Sequence, residues 1–128
     1  MIVVTDCELL IQALLEKWTE GTVKGTLHRS HNTAYVTFET VYGPVHVALY
    51  TRAVPATIRA AATLLHSLKG VKAVAAKHFS QAMQDLASEL DMGYIAYNGK
   101  QAHIEFSNKL IVFLEIKNTL NKDKKREV

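Results

Sequence analysis

Apolar residues recur along this chain with two periods, and the switches between them mark out its elements. "TDCELLIQALLEKW" places Leu9, Leu10, Ala13, Leu14 and Trp18 at helical spacing. Thr5 or Asp6 is the expected N-cap, Asp6 and Glu8 favour the positive end of the helix dipole, and the helix is expected to end near Gly21. The period then drops to two. In "TVKGTLHR", Val23, Gly25 and Leu27 share one face, and Thr22, Lys24, Thr26 and His28 the other. After the polar turn "SHN", "TAYVTFET" opposes Ala34, Val36 and Phe38 to Tyr35, Thr37 and Glu39. "VYGP" reads as a second turn, and "VHVALY" turns Val45, Val47 and Leu49 inward and His46, Ala48 and Tyr50 outward. Short connections favour an antiparallel meander of three strands.

Helical spacing returns after Arg52. Pro55 suits a first turn, Ile58, Ala61, Leu65 and Leu68 form one stripe, and Gly70 is the expected stop. "AVAAKHFSQAMQDLASELD" continues the period through Ala75, Phe79, Met83, Leu86 and Leu90, which predicts a second helix. "GYIAY" and "KQAHIEFS" flank Asn98-Gly99, a dipeptide that favours a type I′ hairpin turn with both residues at positive φ. "KLIVFLEIK" is a buried strand or the start of a helix, because an apolar run alone does not choose between them. The predicted fold is α+β: a mostly antiparallel sheet of four to six strands with helices packed on one face, in the order α-βββ-αα-ββ(β). Residues 1–117 are expected to form one domain and 118–128 a charged, flexible tail. An antiparallel sheet of this kind can leave its second face wet.

Composition narrows the setting. With 128 residues, 48% of them apolar, the chain can fill one core and not two. The apolar run Leu110 to Leu114 is far short of the roughly 20 residues that span a bilayer, and no export signal is visible, so a cytoplasmic protein without a membrane partner is expected. The single cysteine, Cys7, sits inside the first apolar helical pattern and reads as a small core residue.

Charge is uneven. The total of +3 conceals a centre, residues 21–80, that carries +6 with Glu39 as its single acid, between acidic segments of −3 on either side. A local positive field of this size draws polyanions. On the expected wet face, Lys24, Thr26 and His28 would lie beside Tyr35 and Thr37, then beside His46 and Tyr50, with Arg29 and Arg52 at strand ends. Single-stranded nucleic acid is bound by this combination of flat rings for bases and cations for phosphates. Tyrosine and threonine are also simply good strand formers, and Glu39 on the same face opposes a uniformly anionic ligand.

Helix, meander "TVKGTLHRSHNTAYVTFETVYGPVHVALY", paired helices and hairpin "GYIAYNGKQAHIEF" together resemble, over roughly Val23 to Phe106, the N-terminal domain of the ThermoDBP family, single-stranded DNA-binding proteins of thermophilic archaea. The resemblance rests on architecture and composition and has no diagnostic short motif. It implies a groove with an aromatic floor, here Tyr35 and Tyr50, and basic rims, here Lys24, Arg29, Arg52 and Arg59, with oligomerisation enclosing the strand. Longer members of the family carry a leucine zipper, and no such heptads follow Lys117.

Signs of catalysis are sparse. Glu115 and Lys117 form an E-x-K pair of the kind that restriction-endonuclease-like nucleases place on one strand for Mg²⁺, but the acidic partner is missing, since Asp91 falls at a helix end. His28 and His31, with His46 across the sheet, lack the converging acids or cysteines that a metal site needs. No nucleophile elbow or phosphate-binding glycine loop is present in the sequence. The expectation is a non-catalytic, cofactor-free single-stranded nucleic-acid-binding protein that forms a dimer or tetramer, its contacts being Lys24, His28, Arg29, Tyr35, His46, Tyr50, Arg52 and Arg59. An Mg²⁺-dependent nuclease built on Glu115 and Lys117, and an oligomeric scaffold without nucleic-acid affinity, are the alternatives.

Overall fold

The computed structural model describes residues 2–30 and 33–114. Among them are three helices, α1 (Ile2–Thr19), α2 (Pro55–Leu65) and α3 (Gln81–Glu89). One sheet holds β1 (Lys24–Ser30), β2 (Thr33–Thr40), β3 (Gly43–Leu49), β4 (Val71–Ala76), β5 (Gly93–Ala96), β6 (Gln101–Phe106) and β7 (Lys109–Phe113), side by side in chain order. The α+β class and the β1–β2–β3 meander are as predicted, with His28 opposite Tyr35 and Tyr35 opposite Ala48. The turn between β2 and β3 is tighter than predicted. Val41 and Tyr42 form it, and Gly43 (φ 124°) and Pro44 already belong to β3. The Thr40 hydroxyl holds this turn, accepting from the Tyr42 N–H at 3.0 Å and donating to the Gly43 carbonyl at 2.8 Å.

The sheet has seven strands, not four to six, and it is mixed: β3–β4 and β4–β5 pair in parallel. The difference lies in "VKAVAA", which continues no helix. Ala73, Val74, Ala75 and Ala76 are all fully buried, Ala73 and Ala75 toward one core cluster and Val74 and Ala76 toward another. A strand buried on both faces shows no polar alternation, so its pattern cannot be told from a buried helix. The second predicted helix therefore starts later, at Gln81, where the Ser80 hydroxyl accepts from the Met83 N–H at 3.3 Å.

Helices occupy both faces, not one. α2 and α3 are the crossovers β3-α2-β4 and β4-α3-β5, and Ile58, Ala61 and Leu65 of α2 pack with Ala48, Val74, Ala76, Tyr94 and Ala96. The opposite face carries Val36, Phe38, Val45, Val47, Ile95 and Ile104 against α1. α1 begins ahead of the predicted caps, and its buried stripe is Cys7, Ile11, Leu14 and Leu15, with Trp18 partly buried; Leu9, Leu10 and Ala13 are exposed. Cys7 is the small core residue expected.

The face toward α1 is concave. α1 touches β1, β2, β3 and also β7, six strand positions away from β1. At about 4.8 Å per strand a flat sheet would separate those edges by roughly 29 Å, well beyond one helix of about 10–12 Å diameter. The sheet curls accordingly, and its rim nearly closes: the Tyr42 ring lies 5.7 Å from Phe106, and the Lys109 ammonium 5.6 Å from the Tyr42 ring.

The β5–β6 hairpin exists as predicted, but its turn is different. The connection spans Tyr97 to Lys100, and the positive φ falls on Lys100 (55°), not on Asn98 or Gly99. Tyr97 and Asn98 still donate to the carbonyls of Ala76 and Lys77, so pairing with the chain after β4 runs past the end of β5 and lengthens the loop. Glu115 and Lys117, His31, and the predicted boundary between domain and tail all lie outside the described residues.

Two outcomes are expected of this packing. A Cβ at Gly93 would overlap the His103 carbonyl oxygen of the neighbouring strand, so Gly93→Ala should lower stability by about 1–3 kcal/mol in urea unfolding. Tyr97, whose hydroxyl donates to the Tyr50 carbonyl at 3.2 Å, has its pKa raised by burial and further by the adjacent Cys7 thiol, and burial also raises Tyr50 and Tyr94. These phenols stay neutral in the folded chain at a pH where the unfolded chain ionises. Stability should be fully present below pH about 10 and fall as the pH rises through the raised values, which unfolding curves at neutral and alkaline pH will record.

Candidate nucleic-acid interface

The convex face divides in two. α2 and α3 cover β3, β4 and β5, while β1 and the outer side of β2 lie beyond them. Alternation brings Lys24, Thr26 and His28 of β1 to this outer strip, with Glu39, Thr37 and Tyr35 of β2 directly opposite in that order. His28 is exposed and Tyr35 half-buried, and their rings stack at 4.6 Å between centroids with an interplanar angle of 18°. His46 closes the row edge-on to Tyr35 at 6.5 Å and 72°. The sheet thus assembles a column of three rings from three strands, running from the exposed edge toward α2.

The members of this column differ in chemistry. His46 is only 8% exposed, and both its ring nitrogens are engaged. Nε2 lies 2.6 Å from the Lys69 carbonyl, which can only accept, so Nε2 carries the hydrogen and donates. Nδ1 sits 2.9 Å from the Thr37 hydroxyl. His46 is therefore a latch between the meander and the loop after α2, with no nitrogen left for a ligand. His28 has one ring face on Tyr35 and the other toward the free edge of β1.

The remaining expected contacts scatter. Lys24 stands opposite the acid Glu39 on the strand pair. Arg29 alternates with His28 and belongs to the concave side of the β1 end, with Leu27 and Gly25. Tyr50, like Tyr35, is half-buried against the α2 side of the core. Arg52 and Arg59 are exposed, Arg52 in the bend before α2 and Arg59 in its second turn. The first turn of α2 holds no acid, Pro55 begins it, and the Val54 N–H donates to the Thr57 hydroxyl at 3.1 Å. Since Tyr35 pairs with Ala48 and the chain runs on through Tyr50 to Arg52, the His28–Tyr35 stack and this basic helix start share one end of the sheet.

A cavity among the described residues lies elsewhere. Both crossovers step across the sheet in the same direction, so the strand order never reverses and no switch-point crevice forms at the strand C-termini. A cavity of about 470 Å³ opens instead where β4 and β5 begin, lined among others by Lys72, Asp91, His103 and Glu105. The sequence held no sign of it, because the lining comes from a strand start, the left-handed residue after α3 (Asp91, φ 58°) and one face of β6. Among the described residues no three His, Cys, Asp or Glu side chains are placed to hold a metal ion, and no helix is long and apolar enough to cross a membrane.

The latch has a measurable consequence. His46→Phe keeps a ring in place but leaves the Lys69 carbonyl and the Thr37 hydroxyl without their partner, which should cost about 1–3 kcal/mol in urea unfolding. An unchanged midpoint would show that water replaces the ring nitrogens at no cost. No family model, curated protein or solved structure matches this chain.

Proposed function

We propose that the chain binds single-stranded nucleic acid, without catalysis and largely without sequence preference, at the β1 end of its convex face. The observation that carries this reading is the exposed His28 stacked on Tyr35 beside a free sheet edge. A stacked pair is a column to which a further ring can be added, and an unpaired base supplies one at about 1–3 kcal/mol. A duplex has no free base face to offer. Tyr35, braced edge-on by His46, keeps the column from tilting, so the stacking geometry is set before a base arrives.

Phosphates would be met by Arg52, Arg59 and the positive end of α2. This footprint is narrower than the expected one: it leaves out His46, whose ring nitrogens are engaged, and Arg29, which belongs to the concave side. The positive centre of the sequence supports it, because the +6 of residues 21–80 contributes both arginines.

Fluorescence anisotropy with oligo-dT and a matched duplex, at two salt concentrations, tests the reading. Affinity for the single strand should fall with salt at a log–log slope near −2, as about three neutralised phosphates predict. His28→Ala, at an exposed position, should weaken binding about 5- to 150-fold without changing the unfolding midpoint. A flat salt response, or equal affinity for wild type and His28→Ala, would discard this function.

A further inference from the structure

The cavity of about 470 Å³ at the starts of β4 and β5 carries opposite charges on its two sides. Lys72 alternates with Ala73 and shares the convex side of β4 with Val74. His103 and Glu105 stand on that same side of β6, since Ala102, Ile104 and Phe106 face α1. β5 separates the two strands, and extending its registers one residue back from Gly93 puts the buried Met92 between Lys72 and Glu105. Two spacings of about 4.8 Å leave the bases of those two side chains roughly 10 Å apart. Asp91, in the left-handed position directly before Met92, brings a second carboxylate to the cavity. The last turn of α3, which ends beside it, holds no basic residue to offset the negative end of the helix. Among the described residues, the side chains of Asp91, His103 and Glu105 have no hydrogen-bond or ion-pair partner, and Lys72 reaches the His66 carbonyl at 3.4 Å.

We propose that this cavity binds a free amino acid, its ammonium group toward Asp91 and Glu105 and its carboxylate toward Lys72. The charges select the class. A simple anion would meet Lys72 but also two carboxylates and the negative end of α3. A polyamine would satisfy those groups and set its remaining positive charge against Lys72. A small molecule with one charge of each sign satisfies both sides, and a free amino acid is its compact form. His103, beside Glu105 on the same face of β6, is left to hydrogen-bond the amino acid's side chain. The volume lies within the range of small-molecule sites. This site and the His28–Tyr35 stack occupy opposite ends of the sheet: Val71 pairs with Val45 at the start of β3, whereas Tyr35 pairs with Ala48 near its end. The two ligands therefore do not compete.

Amide ¹H–¹⁵N spectra of the full chain, recorded with each common L-amino acid in turn at millimolar concentration, test the site. At least one amino acid should shift the amides of residues 70–72, 91–93 and 105–107 to saturation. Its N-acetyl form, which lacks the ammonium, and its amide, which lacks the carboxylate, should each bind about two- to tenfold more weakly. Lys72→Met should weaken the amino acid by a similar factor and leave binding of the amide form unchanged. Glu105→Gln and Asp91→Asn should weaken the amino acid likewise and leave the N-acetyl form unchanged. Both sites are exposed, and asparagine tolerates the left-handed backbone at 91, so the thermal midpoints should hold. His28→Ala should bind the amino acid as the wild type does, which separates this test from that of nucleic-acid binding. No saturable shift, shifts confined to other residues, or equal binding of the charge-blocked forms would overturn the proposal.

Discussion

Burial of the central parallel strands on both faces is the constraint from which the rest of the structure follows. β4 contributes four consecutive fully buried residues, three of them alanine, so helices can pack against either side of the sheet at that point. Such a strand has no wet face and cannot stand at an edge. It needs a neighbour on each side, and parallel neighbours require crossovers long enough to hold a helix. α2 and α3 are those crossovers. Because both step the same way across the sheet they lie on the same side, and the other side is left to α1.

That division gives the two surfaces their character. One helix covering a seven-stranded face can do so only if the sheet wraps around it, and the ring contact between Tyr42 and Phe106 shows how far the curl proceeds. On the convex side, two helices of eleven and nine residues cover the middle and do not reach the flanks. One flank is polar, with the His28–Tyr35 stack, and the other is apolar, with Leu110 and Val112. The proposed nucleic-acid contact therefore has its structural origin in strands that extend beyond their helical cover.

Legibility from sequence varied with the kind of burial. The meander was readable because each of its strands has one wet side or a wet end, so Val36 and Phe38 alternate visibly with Tyr35, Thr37 and Glu39. α2 was readable because Ile58, Ala61 and Leu65 repeat at helical spacing against an exposed remainder. β4 was not, since burial on both sides erases the alternation and alanine suits a helix as well. The stripe of α1 was misplaced for a related cause: Leu9 and Leu10 are as apolar as Ile11 and Leu15, and only the concave sheet determines which pair is enclosed. Of the candidate site, the pairing of His28 with Tyr35 could be read from alternation and a short turn. The commitment of His46 to Lys69 could not, because the carbonyl comes from a loop 23 residues away.

The sequence by itself determined the α+β class, the meander and the alternation of its strands, the small buried role of Cys7, and the concentration of positive charge in the centre of the chain. These are local properties: each depends on residues a few positions apart or on composition. The tertiary structure alone decided that helices lie on both faces, that His46 turns inward to support the fold, and that one sheet edge is polar and the other apolar. Those outcomes depend on which strand lies beside which and on how far a helix reaches over them, quantities that arise only when distant segments compete for the same surface.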